Sequence, residues 1–326
     1  MRNRLTDLLG IEHPLMLAGM GGVAYAPLVS AVSEAGAFGC LGASTMSPDL
    51  MVRQMAEVRA ATDRPFGVDL LTAMPGDLAE QVELVIAGGA TVFVAGLGVP
   101  TTVIDLCHDH GVLVVSLCGK VAHARRAVEA GCDIVVAQGT EAGGHTGGVA
   151  TMPLVPLIVD AVGDRVPVVA AGGIFDGRGL AAALALGADG AWVGTRFIAT
   201  PEARAVPGFK DAVLAASEAD TTVSRAYSGK PMRVIANRYT RHFDDHPEEI
   251  RPFPEQLGRS IGDRAFHLGG DAGTDGVDPA IESYPAGQAA GGITTLVAAG
   301  VVVRQLVAEA EETIERLGRL RKPTPG

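Results

Sequence analysis

The sequence predicts an α/β protein, a (β/α)8 barrel with an appended C-terminal helical region. Short apolar runs alternate with amphipathic stretches from residue 14 to about 200, the signature of successive βα units. Eight such runs occur. Most are continuously apolar, as strands covered on both faces are, and several helical stretches end in a repeated Gly-Ala punctuation. A doubly wound open sheet has the same local pattern; the count of eight favours closure.

In chain order the strand candidates are Pro14–Ala18, Phe38–Leu41, Phe66–Leu70, Thr91–Ala95, Leu113–Leu117, Ile134–Gln138, Val168–Ala171 and Ala191–Gly194. Helical segments between them include Pro48–Ala60, Leu78–Ala87, Val121–Ala130 and Gly177–Leu186. Ser47 precedes Pro48 and Asp49, a plausible N-cap with an early acid. Glu34-Ala-Gly-Ala37, Ala87-Gly-Gly-Ala90, Glu129-Ala-Gly-Cys-Asp133 and Leu186-Gly-Ala-Asp189 each place glycine where a helix needs a left-handed C-cap before the next strand. Past Pro201 the texture changes. Residues 201–285 are rich in charge, Pro and Gly, with weak strand signals, and Ala286–Leu317 reads as one or two helices. The expected organisation is a barrel core over 1–200, an insertion or lid over the barrel mouth at 201–285, and C-terminal helices over 286–326 that pack back on the barrel.

Composition excludes several classes. Of 326 residues 43 are glycine, well above the usual roughly 7%. A net charge of −11, with Phe 9, Tyr 4 and Trp 1, argues against nucleic acid, which wants basic patches and stacking rings. The longest apolar segment, Gly291–Val303, is shorter than the roughly 18 residues of a membrane span, and Met1–Gly10 has no signal-peptide core. A soluble, cytoplasmic protein is expected. Cys40, Cys107, Cys118 and Cys132 lack CxxC spacing and read as reduced, buried thiols, so no metal site is expected.

The chemistry concentrates at strand ends. Gln138-Gly-Thr-Glu-Ala-Gly-Gly-His145-Thr-Gly-Gly148 follows the sixth strand, on the face where barrel active sites form. Its glycines let the backbone approach a flat or charged ligand, and His145 is the side chain suited to proton exchange near neutral pH. A mobile surface loop with an incidental histidine is the bland reading; length and glycine content favour function. Ala170-Ala-Gly-Gly173 and Gly194-Thr195-Arg196 end the last two strands, the usual phosphate cradle of this fold, with bare N–H groups and helix starts nearby. Ala18-Gly19-Met20-Gly21-Gly22 ends the first strand and suits a planar ring, with Met20 as a polarisable contact. Asp69 either bonds a ligand or caps the next helix. Lys120 is either a partner for negative charge on a redox ring or a solvated helix-start lysine. His13, His108, His110 and His123 read as surface residues, and His242 and His246 lack metal spacing.

These residues carry a resemblance. His13-Pro-Leu-Met-x-Ala-Gly-Met20, the Thr140-Glu-Ala-Gly-Gly-His-Thr-Gly147 loop, Ala170-Ala-Gly-Gly-Ile-x-Asp-Gly-Arg178, Gly194-Thr-Arg-Phe197 and Ala286-Gly-Gln-Ala-Ala-Gly291 are similar to the nitronate monooxygenase family, formerly 2-nitropropane dioxygenase. The similarity spans nearly the whole chain. It implies an FMN-binding TIM barrel with an added helical domain and His145 as the active-site residue at the flavin. Gly19, Met20 and Gly21 then touch the ring, Gly139 borders it, and Asp69 stands where many members have Asn. The same resemblance implies that Ala171, Gly172, Gly173, Gly194 and Thr195 hold the phosphate, that Gln138 and Gly144 belong to the cofactor loop, and that Gln288 approaches from the helical region. The flavin-side lysine of some members falls at Leu117, with Lys120 a displaced substitute. Flavin-dependent enoyl-ACP reductases share the Glu-Ala-Gly-Gly-His motif and an Asp220-Thr-Thr222 stretch, and quinone and CoA-thioester oxidoreductases look similar too. The implied function is oxidation of alkyl nitronates by O2 to carbonyl compounds and nitrite. The alternative is NAD(P)H-dependent reduction of an enoyl thioester or quinone. The sequence does not set the oligomeric state; a homodimer is the working expectation.

Overall fold

The computed structural model describes residues 1–72 and 77–320. Eleven strands occur among them: β1 (Leu15–Leu17), β2 (Gly39–Gly42), β3 (Phe66–Leu71), β4 (Val92–Gly96), β5 (Leu113–Cys118), β6 (Ile134–Gln138), β7 (Gly144–His145), β8 (Val168–Ala171), β9 (Gly190–Val193), β10 (Thr221–Ser224) and β11 (Met232–Ile235). Eight form one parallel sheet in the order β1-β9-β8-β6-β5-β4-β3-β2. A parallel bridge between Met16 and Phe38, with Leu17 N donating to the Phe38 carbonyl at 2.8 Å, joins the two ends of that sheet and makes it a barrel. The helices at Pro48–Ala61, Leu78–Ala87, Val121–Glu129 and Gly177–Ala185 lie where the pattern of the sequence puts them. Ser47 caps the first of these through its hydroxyl, which accepts from Leu50 N at 3.3 Å.

Alternation along the strands divides the core in two. On β4, Val92 and Val94 point into the barrel and join Met16, Phe38, Val115, Ile134, Val136, Val169 and Trp192, while Phe93 and Ala95 point out into the layer beneath the helices. A strand in a covered barrel must be apolar at every position, because both faces are dry. Each fully buried Val or Leu contributes about 1.5–3 kcal/mol. The N-terminal helix Arg4–Leu9 sends Leu5 and Leu9 into the interior cluster and so closes the bottom of the barrel. The chemistry is left to the opposite end.

The segment after residue 200 holds more regular structure than its composition suggests. β10 and β11 pair antiparallel, followed by helices at Arg238–Asp245 and Glu255–Gly262. They share a small core of Ala226, Tyr227, Met232, Val234, Tyr239, Phe243 and Ala265, in which Tyr227 stacks on Tyr239 at 5.1 Å. Asn237 caps the first of these helices in a capping box with Thr240. The C-terminal part is a short 3₁₀ turn, Gln288–Gly292, and one long helix, Ala299–Arg319, lying against Gly177–Ala185. Residues 321–326 of the expected C-terminal helices lie outside the described residues. No helix among the described residues is long and apolar enough to cross a membrane. The four cysteines are buried and unpaired.

Candidate active site

A cavity of about 800 Å³ opens at the C-terminal ends of the barrel strands, within the range of cofactor and substrate sites. Ala171, Trp192 and Leu117 form part of its floor as the last interior layer of the barrel. Of the residues singled out in the sequence, Gly19, Met20, Gly21, Asp69, Lys120, Gln138, Gly144, His145, Ala171, Gly172, Gly173, Gly194 and Thr195 all line it. Six strand ends therefore converge on one space.

Two expected contacts do not line the cavity. Gly139 packs against Thr151, where a Cβ would overlap the Thr151 backbone, so its glycine serves the close approach of the loop to the following helix. Gln288 is exposed; its backbone N–H donates to the Glu141 carbonyl at 2.9 Å, so this position ties the C-terminal segment to the histidine loop through the main chain. His123, read as a surface residue, does line the cavity, beside Lys120 and Arg126 on the helix after β5. Asp69 does not cap a helix. The next helix, Leu78–Ala87, is capped by Asp77, which leaves Asp69 for the cavity.

The histidine loop is held more firmly than its glycine content suggests. Gly144 and His145 form β7, which pairs antiparallel with Arg233 and Met232 of β11. Gln138 Nε2 donates to the His145 carbonyl at 2.8 Å, and Arg233 Nε donates to the Thr140 carbonyl at 2.7 Å. Glu141 accepts from both the backbone and the hydroxyl of Thr151 at 2.8 Å, capping the next helix. Gly143 and Gly287 approach backbone to backbone: a Cβ on Gly143 would sit 2.7 Å from the Gly287 nitrogen. No other residue fits there.

His145 Nε2 lies 2.9 Å from Ser228 Oγ, and that hydroxyl donates to the Lys230 carbonyl at 3.2 Å. In this network Nε2 carries the proton and donates to Ser228, leaving Nδ1 as the basic nitrogen. Burial, with the Lys230 ammonium adding to it, pulls the imidazole pKa down to about 4, so His145 is neutral at physiological pH. Ser228 and Lys230 come from outside the barrel, and nothing in their sequence surroundings marks them.

At the expected phosphate end, Gly172 and Gly173 adopt φ of 106° and 77°, the left-handed region that favours glycine. Thr195 Oγ1 accepts from Gly287 N at 2.9 Å and keeps its own hydrogen to donate. The start of the helix Gly177–Ala185 is already met by Asp176, whose carboxylate accepts from Gly179 N and from Arg178. The donors left for an anion there are loop N–H groups and Thr195. Arg196 turns away, donating to the Thr295 carbonyl at 3.1 Å.

A neutral histidine presented among glycine-rich strand ends at the mouth of a (β/α)8 barrel defines a barrel enzyme. Comparison with known proteins narrows the class. The family model described as nitronate monooxygenase matches residues 2–81 and 72–309. The (3aS,4S,5R,7aS)-5-hydroxy-7a-methyl-1-oxo-octahydro-1H-indene-4-carboxyl-CoA dehydrogenase of Mycobacterium tuberculosis is 43% identical over 236 residues, 72% of this chain. That match spans 66% of the relative's own length, just under two thirds. Among solved structures, FabK from Thermotoga maritima superposes with a TM-score of 0.88 at 36% identity, over 98% of this chain and 99% of that one. A nitroalkane oxidase from Streptomyces ansochromogenes does so with 0.81 at 30%, over 96% and 99%. The chain belongs to the nitronate monooxygenase family, a family of oxidoreductases.

Proposed function

We propose that this protein is an FMN-dependent oxidoreductase that oxidises alkyl nitronates with O2 to carbonyl compounds and nitrite, with His145 as its proton-transfer and positioning residue. The observation that carries the reading is a half-buried, neutral His145 on a braced loop, in the same cavity as the glycine-rich strand ends. The residues present fit FMN. Gly172, Gly173, Gly194 and Thr195 offer main-chain and hydroxyl donors to a phosphate, and Gly19, Met20 and Gly21 offer a flat, polarisable surface to the ring. FMN, when bound, supplies the electron-accepting chemistry that no side chain provides.

The chain's own part is acid–base and positional. Nδ1 of His145 takes the proton from the carbon next to a nitro group, giving the nitronate. Ser228 holds the ring by the opposite nitrogen, so the basic atom keeps one orientation. The Lys230 ammonium lines the same space and favours an anion in it. Apolar lining from Met20, Met232, Phe253 and Phe266 excludes water around the reacting carbon.

One observation favours a second reading. Lys120, Arg126 and Lys230 place three cationic side chains along the cavity, more than a small nitronate requires. They suit the phosphates of a nicotinamide nucleotide or a carrier thioester, and two of the similar proteins named above are FabK and a carboxyl-CoA dehydrogenase. The test is one panel: turnover of propyl-1-nitronate, an enoyl-CoA and a quinone, each with and without NADH. Nitronate turnover with O2 that needs no NADH is expected. Reduction of the thioester or quinone only with NADH selects the second reading. With 1-nitropropane as substrate, His145→Ala is expected to keep its flavin and lose about 10²-fold or more in kcat. Unchanged kcat in that variant removes the role of His145.

A further inference from the structure

A third histidine, besides His145 and His123, lines the cavity. His267 and Glu282 both line it. Glu282 is only 1% exposed, yet both of its oxygens are engaged by one residue: Oε1 accepts from the His267 backbone N–H at 3.0 Å, and Oε2 lies 2.6 Å from His267 Nδ1. The carboxylate is itself anchored through its main chain. Asn237 Nδ2 donates to the Glu282 carbonyl at 2.8 Å, and Ser283 N donates to the Ala265 carbonyl at 2.8 Å. Burial raises the Glu282 carboxyl and the bonds from His267 oppose that rise.

A buried carboxylate on Nδ1 fixes the ring's orientation, with Nε2 facing away. Among the described residues His267 Nε2 has no hydrogen-bond partner, although the side chain is only 16% exposed. An imidazole held at Nδ1 and bare at Nε2, at a cavity wall, is placed to meet a ligand. The segment that carries it lies over the first barrel loop: a Cβ on Gly22 would sit 3.6 Å from the Gly269 nitrogen. Lys230 has an alternative partner in the Phe253 ring, 4.2 Å from its ammonium. His267 is thus the side chain whose direction the fold has set.

We propose that His267, oriented by Glu282, is an oxyanion-binding residue of this active site, its Nε2–H donating a hydrogen bond to an oxygen of the substrate. On the nitronate reading that oxygen belongs to the nitro group; on the thioester reading it is the carbonyl. The inference rests on the proposed function for the identity of the substrate, and on the cavity alone for the presence of an anion site. No bond is made or broken at His267. Its role is to hold negative charge, while His145 handles the proton. Glu282 is a positioning residue that acts through the ring.

Inorganic nitrate, a planar oxyanion centred on nitrogen, is the binding probe, titrated by calorimetry into the full chain as purified. His267→Ala is expected to weaken nitrate binding about ten-fold and to raise the propyl-1-nitronate KM by a similar factor, the scale of one hydrogen bond, with kcat within about two-fold. His267→Gln, which returns a neutral N–H donor, is expected to recover part of both losses, and Glu282→Gln to fall between. A purely structural pair would lower the melting temperature without this KM-selective pattern or its partial rescue. Unchanged nitrate affinity and KM in His267→Ala overturn the proposal; should that variant fail to fold, unchanged values in His267→Gln and Glu282→Gln together overturn it. If the wild type turns over no nitronate while nitrate affinity still depends on His267, the nitronate reading fails and the oxyanion site stands. Turnover with an affinity indifferent to His267 overturns this inference alone.

Discussion

Two ionisable side chains in the cavity, His145 and Asp69, are both uncharged at neutral pH, for the same reason with opposite signs. Burial penalises whichever form is charged, so it pulls the imidazole down to about 4 and pushes the Asp69 carboxyl up to about 8. Asp69 is 5% exposed. The folded chain therefore keeps its proton up to about pH 8, whereas an unfolded chain releases it near 3.8. Below 3.8 both states are protonated and burial costs nothing. As pH rises from there towards 8, unfolding releases a proton and stability falls. Asp69→Asn, an uncharged residue of the same shape, is expected to be more stable than the wild type by about 4 kcal/mol at pH 7 and no different near pH 3. Urea unfolding at the two pH values checks it; equal gains at both would mean that charge is not the cause.

At the scale of the element, the decisive object is the two-residue strand β7. Arg233 reaches across from β11 to bond Thr140 at one end and Thr221 Oγ1, 3.1 Å away, at the other. Arg233→Ala is expected to retain flavin, lower kcat about ten-fold and speed amide exchange at Gly143–Thr146, because the loop loses a charge-assisted bond and with it part of its alignment. Unchanged exchange at those amides would show that pairing alone suffices. The barrel elements were legible because each strand is apolar on both faces and each helix ends in a glycine or caps with Ser or Asp. His145 and the glycine-rich ends were legible for a related reason: glycine marks where backbone must come close. The bracing of the loop was not. Met232 and Ser228 lie more than eighty positions away, and a four-residue strand such as Met232–Ile235 with Arg in it leaves little periodic signal. His267 and Glu282 are ordinary residues until Tyr227 and Asn237 bring their segments together. The Asn237-Arg-Tyr-Thr240 capping box marks the start of an ordered helix in this region.

For the whole molecule, the C-terminal helix is a support for the barrel. Val302, Val303, Leu306 and Ala310 are buried, and Glu309 accepts from Gly177 N at 2.9 Å, finishing the start of the helix after β8. A chain ending at Ala298 loses the burial of at least three large apolar side chains, roughly 5 kcal/mol or more, comparable with the stability of an entire domain. It is expected to be recovered as insoluble protein, whereas a chain ending at Arg319 melts like the full-length one; expression and thermal melts of the pair decide. A soluble, normally melting chain that ends at Ala298 would show the barrel to be self-sufficient.

The pairing of His145 with Met232 also bears on the order in which the molecule is made. A ribosome releases the barrel strands first, and residues 221–235 only after all eight have emerged. Until then the loop that bears His145 has no neighbouring strand, and the wall that bears His267 does not exist. Nascent barrels can therefore collapse around their apolar interior while remaining chemically silent. Reactivity thus comes after the barrel strands and not with them.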